Sequence, residues 1–589
     1  MNRAHQRRRA WAVLAVSSMA AAGALAAGSR QAAAPARPRL VVVLVVDQFR
    51  ADYIERYGHE WTGGLRRLLD TGAWFTRAAY PYYNTVTCVG HATISTGTLP
   101  SIHGMILNDW WDRATGRQVA CTEDDTASLT SYGREVTGRG ESARRLQAPT
   151  LADELRAQLD RRARVTTFSL KARSAIGLAG HRGDAVVWFN RRGAFVTSTA
   201  FADAPVEAVA DFVRRHPVEA DFQKPWDRLL PADRYLFESP AIGVQPDSDM
   251  TPAFPHTVAG RGDTPDRTFY AQWQASPYAD AYLGSMALDV TRALGVGRGD
   301  RTDFLGVSFS TLDLVGHDYG PRSHEVQDVL LRLDRTIGAL LDGLDQLVGA
   351  GHYVVSLSAD NGVAPIPEYA SSVGLDAGRR ATPTIAQAIE EVLAPLGPAR
   401  KVAAVLYTDA YLAEGLWPQL VERPDLIRQL KARLLALDGV TAVFTRDEIE
   451  AGGFPDGSIG SRMARGYFPG RSGDLLIAQR PYWIASSDAT THGTGYDYDT
   501  RVPVVLMGAG VVPGEYLQAA TPADIAPTLA YLAGVTLPNA QGRVLAEALA
   551  SGRKVEGRSR QREGKATSRP VELLSSHLVV DVGPAANRK

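Results

Sequence analysis

The feature that most constrains the fold is a recurring order of segments: a short apolar run, a polar cluster and then a helical pattern. The apolar runs lack the alternation of apolar and polar residues that a half-exposed strand shows, so they predict strands buried on both faces. Such strands belong to parallel sheets that helices cover on both sides. We therefore predict an α/β fold with one doubly wound, mostly parallel sheet and helices on both of its faces.

Eight apolar runs are predicted strands: Leu40–Val46, Val165–Leu170, Ala185–Trp188, Phe304–Phe309, Tyr353–Leu357, Ala403–Leu406, Asp474–Ile477 and Val502–Met507. Five segments carry predicted helices: Gly63–Thr71, Leu151–Arg161, Glu325–Leu347, Asp425–Leu437 and Pro522–Leu532. Thr150 can cap the second helix with its side-chain oxygen. Two segments with weak periodicity, near 196–275 and 369–468, interrupt this order, and such segments in a compact enzyme favour insertions that cap an active site.

The two ends of the chain differ in composition from its middle. Residues 1–34 hold five Arg and no acid, and their apolar run Trp11–Ala27 is too short for a membrane span, which predicts a cleaved signal peptide. Residues 553–589 hold nine basic and four acidic residues in an Arg/Ser/Gly-rich stretch that predicts a disordered basic tail. We expect a catalytic domain over 35–550 in a periplasmic or secreted protein, with no membrane anchor after cleavage.

Charge and cysteine content narrow the possible partners and the redox state. Between the two ends the chain carries 50 basic and 60 acidic residues, and an acidic body argues against nucleic-acid binding. Its two cysteines, Cys88 and Cys121, could form a disulfide in an oxidising compartment. Two buried free thiols would give the same sequence, so both states stay open at this stage.

Three predicted strands lead into an aspartate. Val41–Val46 runs into Asp47, Val307–Leu312 into Asp313, and Val354–Ala359 into Asp360. Because parallel strands present their carboxyl ends at one edge of the sheet, these carboxylates can converge there. Three anions in one cleft repel each other unless a cation neutralises them, so the pattern predicts a metal site.

Two histidines extend this metal prediction. Asp313 and His317 are four residues apart, which brings a carboxylate and an imidazole to the same ion within one turn of chain. His492 lies in a glycine-containing turn before a predicted strand. Two imidazoles and one carboxylate with an open position form a set typical of catalytic zinc.

A threonine at a predicted helix start is the candidate nucleophile. The segment Pro81–Thr93 follows a predicted strand and leads into small residues that can open a helix at Thr87. A hydroxyl there faces unpaired N–H groups and the positive end of the helix dipole, which suits both an alkoxide and a phosphoryl ester. Threonine is a poor nucleophile at its free pKa, and coordination to a metal is the usual remedy.

Five short motifs together carry a resemblance to a known family: Thr87-Cys88-Val89-Gly90-His91, His103-Gly104-Met105-Ile106-Leu107-Asn108, Asp313-Leu314-Val315-Gly316-His317, Asp360-Asn361-Gly362 and Thr491-His492-Gly493. Their order, from about residue 39 to 545, resembles the alkaline phosphatase superfamily. More narrowly, it is similar to the bacterial monomeric alkaline phosphatases that use a threonine nucleophile.

The resemblance implies a role for each matching residue. Thr87 would be the nucleophile and would share one metal ion with Asp47 and Asp360. A second ion, zinc, would be held by three residues: Asp313, His317 and His492. The nonbridging phosphoryl oxygens would be bound by Asn108, Lys171 and Arg173.

The Lys171 and Arg173 pair bears on the substrate class. Related phosphodiesterases and nucleotide pyrophosphatases lack this Lys-x-Arg pair. A terminal phosphate dianion has more charge to neutralise than a diester, and a planar guanidinium can bind two of its oxygens. The pair therefore favours small-molecule phosphate monoesters as substrates.

One departure from the family pattern concerns the metal beside Thr87. The family usually has Asp-His where this chain has Asp360-Asn361, so an amide replaces an imidazole. Oxygen ligands shift preference from zinc toward Mg²⁺, Mn²⁺ or Ca²⁺, so we expect zinc or a harder ion at this position. Asp-Asn-Gly is also similar to a calcium-binding element of sulfatases, but the segment after Thr87 lacks the Pro and Arg of the sulfatase nucleophile element.

The leading hypothesis is a secreted, metal-dependent phosphomonoesterase of the alkaline phosphatase type. It would be a monomer that works through a phosphothreonine intermediate at a two-metal site. One alternative is a phosphodiesterase or nucleotide pyrophosphatase on the same fold. Another is a metal-depleted protein that only binds phosphate esters, with Asn361 marking the decay of one metal site.

Overall fold

The computed structural model describes residues 37–159, 162–246, 249–381 and 383–550. The predicted signal peptide at 1–34 and the predicted basic tail at 553–589 lie outside the described residues. The strands, numbered in chain order, are β1 Leu40–Val46, β2 Ala73–Ala78, β3 Asp109–Asp112, β4 Arg117–Ala120, β5 Glu123–Tyr132, β6 Arg139–Glu141, β7 Val165–Ser169, β8 Ala185–Asn190, β9 Ala194–Ser198, β10 Lys224–Trp226, β11 His256–Val258, β12 Asp303–Phe309, β13 Tyr353–Ser358, β14 Gly378–Arg379, β15 Val402–Leu406, β16 Asp409–Leu412, β17 Val440–Thr445, β18 Leu475–Gln479, β19 Trp483–Ile484, β20 Val504–Gly508 and β21 Gly514–Ala520.

Helices connect these strands and cover the sheets. They span Asp52–Tyr57, Gly64–Thr71, Thr87–Thr96, Pro100–His103, Leu151–Gln158, Ala172–Ala179, Glu207–Arg215, Arg267–Gln274, Pro277–Leu294, Thr311–Tyr319, His324–Leu347, Pro367–Ser372, Pro383–Leu393, Leu416–Val421, Pro424–Leu435, Arg446–Ala451, Ile459–Gly466, Asp497–Thr500 and Ile525–Ala533. Among the described residues, no helix combines the length and the apolar character that crossing a bilayer requires.

An eleven-stranded sheet forms the centre of the fold, in the order β21-β2-β20-β13-β1-β12-β7-β8-β9-β5-β6. The five strands from β13 to β8 in this order are parallel to one another. Antiparallel strands flank them, with β20 beside β13 and β9 beside β8. The predicted doubly wound α/β fold is confirmed, and its parallel strands occupy the middle of a mixed sheet.

Strand β1 shows why the sheet is covered on both faces. All seven of its residues are buried, and because successive side chains point to opposite faces, alternate residues belong to two separate cores. Leu44 packs in the core that contains the helices Pro277–Leu294 and His324–Leu347. Val43 packs in the core that contains the helices Thr87–Thr96 and Ile525–Ala533. An apolar run without alternation is the expected result of burial on both faces.

Two of the predicted strands lie outside the central sheet. The runs predicted as Ala403–Leu406 and Asp474–Ile477 form β15 and β18, which belong to a separate sheet of order β15-β16-β18-β17. This sheet packs against the helices Pro383–Leu393 and Pro424–Leu435. Their assignment to the single central sheet was wrong, because a short apolar run reports burial and not the partner with which it pairs.

The helix that begins at Leu151 has the predicted cap. The Thr150 side chain accepts a hydrogen bond from Asp153 N, and the Asp153 carboxylate accepts one from Thr150 N, which completes a capping box. The helix predicted over Pro522–Leu532 begins with a short 3₁₀ turn at Pro522–Asp524 and then continues as Ile525–Ala533.

Cys88 and Cys121 form a disulfide, which decides between the two states that the sequence left open. Cys88 is the second residue of the helix Thr87–Thr96, and Cys121 directly follows β4. Cys121 N also donates a hydrogen bond to Asn108 O at 2.9 Å. The bridge therefore ties the start of that helix to the hairpin β3–β4, which begins next to Asn108.

Candidate active site

The carboxyl edge of the parallel strands brings three aspartates together. Asp47 follows β1, Asp360 follows β13, and Asp313 lies in the first turn of the helix after β12. All three are buried, and Gln48 links two of them: its N donates to Asp360 Oδ1 at 3.0 Å and its Nε2 donates to Asp313 Oδ1 at 3.0 Å. The edge therefore concentrates negative charge where parallel sheets bind ligands.

Asp313, His317 and His492 form one possible cation site, with ligand atoms within 4.8 Å of one another. The Nε2 atoms of His317 and His492 lie 3.3 and 3.4 Å from Asp313 Oδ1. Their Nδ1 atoms donate to the carbonyl oxygens of Thr490 and Thr85, each at 2.9 Å. A carbonyl that holds Nδ1–H fixes the ring and leaves Nε2 free as a metal ligand.

A second cluster of ligand atoms lies beside the first and joins Asp47, His91 and Asp360. Asp47 is held by two hydroxyls, which Ser308 donates at 2.8 Å and Ser310 at 3.0 Å. His91 Nε2 lies 3.5 Å from Asp47 Oδ1 and 2.9 Å from Ser308 Oγ. These two hydroxyls and the imidazole orient the Asp47 carboxylate.

Several polar atoms of this second cluster have no partner among the described residues. They are Asp360 Oδ2 and both amide atoms of Asn361, and both residues are fully buried. Buried polar atoms are almost always paired in native proteins, and unpaired ones mark a place for a ligand or ion. An oxygen-rich donor set of this kind fits a divalent cation, so the residues present are compatible with a metal beside Thr87.

Thr87 is the first residue of the helix Thr87–Thr96 and is buried beside these clusters. The next residue, Cys88, donates its N–H to Asn108 Oδ1 at 2.9 Å. Gly90 lets the first turn approach the sheet edge, since a Cβ there would come within 2.3 Å of Asp360 O. Thr87 thus lies at the positive end of a helix dipole, and the first turn of this helix packs against Asp360.

Lys171 lies between the two clusters. Its Nζ is 2.9 Å from Asp47 Oδ2 and 2.5 Å from Asp313 Oδ2. Burial opposes the ammonium, but Asp313 and Asp47 raise the pKa of Lys171. Arg173, two residues further along the chain, lines the same cavity, and its buried Nε has no hydrogen-bond partner among the described residues.

The protonation of the cluster follows from burial and charge. Burial, followed by the charge of Asp47, raises the pKa of Asp360 to about 7. Burial also opposes ionisation of Asp313, but Lys171 and His317 hold the pKa of Asp313 well below its usual range. Burial opposes the imidazolium form of His317, but the charge of Asp313 raises the pKa of His317 to about 9. The three carboxylates therefore share two cationic groups, Lys171 and His317, at a place where a metal ion could replace their charge.

A cavity of about 1080 Å³ opens onto these groups. Its inner wall holds Thr87, Asn108, Lys171, Arg173, His317 and His492. Each predicted cap segment adds to its wall, with Arg267 and Gln274 from 196–275 and Arg380 and Tyr407 from 369–468. Asn108 Nδ2 lies 3.4 Å from the Tyr407 hydroxyl. Seven of the predicted site residues therefore line one space that is large enough for a phosphate ester: Thr87, Asn108, Lys171, Arg173, Asp313, His317 and His492. The other three, Asp47, Asp360 and Asn361, are buried and are not part of its lining.

Six residues at this site had no role predicted from the sequence: Gln48, His91, Ser308, Ser310, Arg380 and Tyr407. His91 had a usable signal, since it lies four residues after Thr87 and so one helical turn away. Ser308 also had one, because it is a polar residue inside the apolar run of β12. Arg380 and Tyr407 had none, since they reach the cavity from elements far along the chain.

Residues 41–499 match the family described as type I phosphodiesterase / nucleotide pyrophosphatase. Over 532 residues the chain is 32% identical to the alkaline phosphatase PafA of Elizabethkingia meningoseptica, covering 89% of this chain and 96% of that protein. It is 30% identical to the alkaline phosphatase PhoV of Synechococcus elongatus, covering 87% and 93%. A Myroides odoratus protein named calcium-transporting ATPase is 31% identical, covering 85% and 93%.

The three-dimensional comparison agrees with the sequence comparison. The crystal structure of wild-type PafA superimposes on this fold with a TM-score of 0.80 at 32% identity. The match covers 88% of this chain and 100% of the PafA chain. The likeness therefore extends across the central sheet and the segments that surround the cavity.

Proposed function

The chain belongs to the type I phosphodiesterase / nucleotide pyrophosphatase family of the alkaline phosphatase superfamily, and we propose that it is an alkaline phosphatase that acts through a phosphothreonine at Thr87. Its activity is that of a phosphoric monoester hydrolase. One observation carries the finer proposal: the Thr87 hydroxyl lies at a helix start beside two acidic donor sets, in the cavity that also holds Lys171 and Arg173.

In the first step, Thr87 Oγ attacks phosphorus from the position that the helix fixes. A bond forms between Oγ and phosphorus while the bond from phosphorus to the leaving oxygen breaks, with the two oxygens in line. Asn108, Lys171 and Arg173 bind the equatorial oxygens, where charge is spread in the transition state. Water then hydrolyses the phosphothreonine, releases inorganic phosphate and restores the Thr87 hydroxyl.

Two donor sets would hold two divalent cations. One set comprises Thr87, Asp47, Asp360 and Asn361, and the other comprises Asp313, His317 and His492. Bound there, the cations would supply Lewis acidity that favours the ionised nucleophile and neutralises the leaving oxygen. The two imidazoles of the second set favour zinc, whereas the oxygen donors of the first set accept zinc or a harder ion such as Mg²⁺, Mn²⁺ or Ca²⁺.

The Lys171 and Arg173 pair supports monoesters over diesters. Two cationic side chains beside the nucleophile match the charge of a terminal phosphate dianion, which a diester lacks. A phosphodiesterase of the same fold remains the alternative, and the experiment described below distinguishes it from a phosphomonoesterase. The hypothesis of a protein that only binds phosphate esters is less well supported. The relatives PafA and PhoV are named as alkaline phosphatases, and the chain has a threonine, Thr87, at the proposed nucleophile position.

We also propose that the enzyme is exported to the periplasm or secreted. The basic and apolar start of the sequence supports this location. The disulfide between Cys88 and Cys121 supports it independently, because such bonds persist in oxidising compartments. We further propose that the protein is a monomer and that its partners are small-molecule phosphate monoesters.

The test compares 4-nitrophenyl phosphate with bis-4-nitrophenyl phosphate at alkaline pH. Protein stripped of metal is refilled with Zn²⁺ alone, or with Zn²⁺ plus Mg²⁺, Mn²⁺ or Ca²⁺. We expect a strong monoester preference, its loss in Thr87→Ala, and a phosphorylated Thr87 detectable by mass spectrometry after acid quench. A diester preference would indicate the diesterase, and an active Thr87→Ala variant would exclude the nucleophile assignment.

A further inference from the structure

Arg380 is a cationic side chain of the cavity wall for which the proposed mechanism has no use. It directly follows β14, and its N–H donates to Ile484 O at 2.9 Å, continuing the pairing of β14 with β19. The side chain is 8% exposed and lines the same cavity as Thr87 and His492. Arg380 therefore presents a fixed positive charge to whatever fills this space.

The guanidinium of Arg380 lacks a partner within the described residues. Its Nε and Nη1 atoms are buried without a hydrogen bond, and no carboxylate is among the groups that influence its charge. The ionisable group that does influence it is the Tyr83 hydroxyl, which burial keeps neutral by raising its pKa. A buried charge without a counter-ion costs free energy, which a ligand anion would offset.

The neighbouring Arg379 shows what a structural arginine looks like in the same strand. Its Nε and Nη2 donate to the Glu368 carboxylate, and its Nη1 and Nη2 also donate to carbonyl oxygens, among them Asp488 O at 2.6 Å. All three nitrogens of Arg379 have partners, whereas two of the Arg380 nitrogens have none. The difference indicates that Arg380 serves a ligand and not the fold.

Arg380 lines the cavity together with Asp313, His317 and His492, the donor set that we assign to the leaving group. Tyr83, which interacts with its guanidinium, lies two residues before Thr85. The Thr85 carbonyl in turn holds the ring of His492, a member of the set Asp313, His317 and His492. The phosphoryl oxygens have other cationic partners, since Lys171 and Arg173 line the inner wall. The free charge of Arg380 is therefore available to the alcohol part of the ester.

We propose that Arg380 forms a leaving-group subsite that selects phosphate monoesters whose alcohol part carries a second anion, either a carboxylate or another phosphate. A bidentate guanidinium suits both groups, and the desolvated position strengthens the contact. The indole of Trp483 and the ring of Tyr407 line the same cavity and offer flat walls for the body of the leaving group. This inference rests on the proposed phosphomonoesterase activity and deepens it.

The test uses three phenyl phosphates that differ only in the para substituent: methyl, carboxylate or phosphate. Steady-state kcat/KM is measured with the metal-loaded full-length enzyme, its Arg380→Gln and Arg380→Lys variants, and Arg191→Gln as the control. Arg191 is an exposed arginine of the same cavity wall, so its loss removes equal charge without a buried contact. Thermal unfolding of each variant confirms that it is folded.

For Arg380→Gln we expect at least a tenfold loss of kcat/KM with the carboxylate and phosphate substrates and less than a twofold change with the methyl substrate. Arg380→Lys should recover part of the loss, and the melting temperature should not fall, because the charge removed has no partner. An anion-specific loss with one charged substrate alone would identify which anion the subsite takes. Equal losses for all three substrates, or the same losses in Arg191→Gln, would overturn the proposal.

The two proposals fail in different ways. If the wild-type enzyme does not hydrolyse the methyl substrate, the proposed activity is wrong, and the subsite is then tested by binding. Calorimetry with 4-carboxyphenyl phosphate should give at least tenfold weaker binding to Arg380→Gln than to the wild type. Equal affinity for the two proteins would overturn the subsite even where hydrolysis is observed.

Discussion

At the scale of single residues, the site contains buried polar atoms that make no hydrogen bond to the described residues. Arg173 and Arg380 line the cavity, Asp360 belongs to the second cluster, and Asn361 directly follows Asp360. Ser308 and Ser310, by contrast, donate their hydroxyl hydrogen bonds to the Asp47 carboxylate and so orient it. Hydrogen bonds within the protein thus orient the charged side chains of the site, and we expect bound ions and substrate to neutralise their charges.

Arg173→Ala should separate monoesters from diesters. The guanidinium faces the charge that only a terminal phosphate carries, so its loss should lower kcat/KM for 4-nitrophenyl phosphate by about 10²-fold. The diester bis-4-nitrophenyl phosphate should lose less than tenfold. Arg267→Ala, an exposed arginine of the same cavity wall, serves as the control. A diester loss as large as the monoester loss would favour the diesterase.

Asn361→His should change which cation the first donor set prefers. An imidazole nitrogen suits zinc, whereas the native amide offers a hard oxygen that also suits Mg²⁺, Mn²⁺ and Ca²⁺. We expect the variant to retain more zinc, by roughly tenfold in dissociation constant, during dialysis against a competing chelator. Metal content by mass spectrometry measures this without reference to activity. Unchanged zinc retention would mean that residue 361 does not reach the ion.

Asp280→Asn should alter the pH dependence of stability. Asp280 Oδ1 accepts from Ser310 N and Thr311 N, at the start of the helix that carries Asp313, and burial raises the pKa of Asp280 to about 7. Its raised pKa means that the native protein loses stability as pH rises from about 4 to 7, because the unfolded chain ionises first. The amide does not titrate and keeps the acceptor oxygen.

Urea unfolding at several pH values tests this difference. The free energy of unfolding of Asp280→Asn should exceed that of the wild type by an amount that grows up to about pH 7 and is constant above it. All other titrations are common to both proteins and cancel in the comparison. If the difference in free energy of unfolding between the variant and the wild type were the same at pH 5 and pH 8, it would contradict the assignment of this titration to Asp280.

The sequence predicted the central donors better than their surroundings. Asp47, Asp313 and Asp360 were predictable because each follows an apolar run, and strand ends of a parallel sheet share an edge. Arg380 was not predictable, since its position depends on the pairing of β14 with β19 across about a hundred residues of chain. A pattern along the sequence reports local burial, whereas this contact depends on where a separate segment packs.

At the scale of elements, the helix Thr87–Thr96 is held at its first turn from several sides. The disulfide joins its second residue to Cys121, and Asn108 accepts the N–H of Cys88. His91, one turn on, donates from Nδ1 to Thr87 O at 2.9 Å. Thr87, the proposed nucleophile, thus lies on an element whose start is fixed to the β3–β4 hairpin and to the sheet edge.

Replacing both cysteines by serine should weaken this attachment. The disulfide closes a loop with a sequence separation of 33 residues, so its loss should cost about 2–4 kcal/mol in the free energy of unfolding. We also expect a loss of kcat that exceeds any rise in KM, because the start of the helix Thr87–Thr96 then keeps only the hydrogen bond from the residue 88 N–H to Asn108 as its link to this hairpin. Denaturant unfolding and steady-state kinetics of the double variant measure both effects. Stability equal to that of the wild type would show that the bridge does not form in solution.

The ends of helices and strands could be predicted where they depend only on residues that are close together in the sequence. The strand Leu40–Val46 was predicted with its observed ends, and the Thr150 cap follows from side-chain chemistry alone. The membership of β15 and β18 in a second sheet did not follow, because their apolar runs resemble those of the central strands although β15 is mostly half-buried. Composition fixes whether a segment is buried, but pairing is a property of the whole chain.

At the scale of the whole molecule, the fold concentrates uncompensated charge at one edge of its central sheet. Asp47, Asp313 and Asp360 are all buried there, and their positive counterpart in the described structure is Lys171 with the nearby imidazoles. Burying carboxylates without full neutralisation costs stability. We therefore expect bound cations to stabilise the native protein.

Removing metal should lower the melting temperature of the whole protein, and returning it should restore the value. A ligand that binds only the folded state adds RT ln(1 + [L]/Kd), or about 2.7 kcal/mol at one hundred times its dissociation constant. We expect Zn²⁺ to restore most of the stability of the chelated wild type and much less in Asp313→Asn, which lacks a donor of the histidine-rich set. Arg267→Ala leaves both donor sets intact and should respond like the wild type. A melting temperature that no chelator lowers would mean that the buried carboxylates are neutralised within the chain, and it would remove the physical basis for a two-cation site.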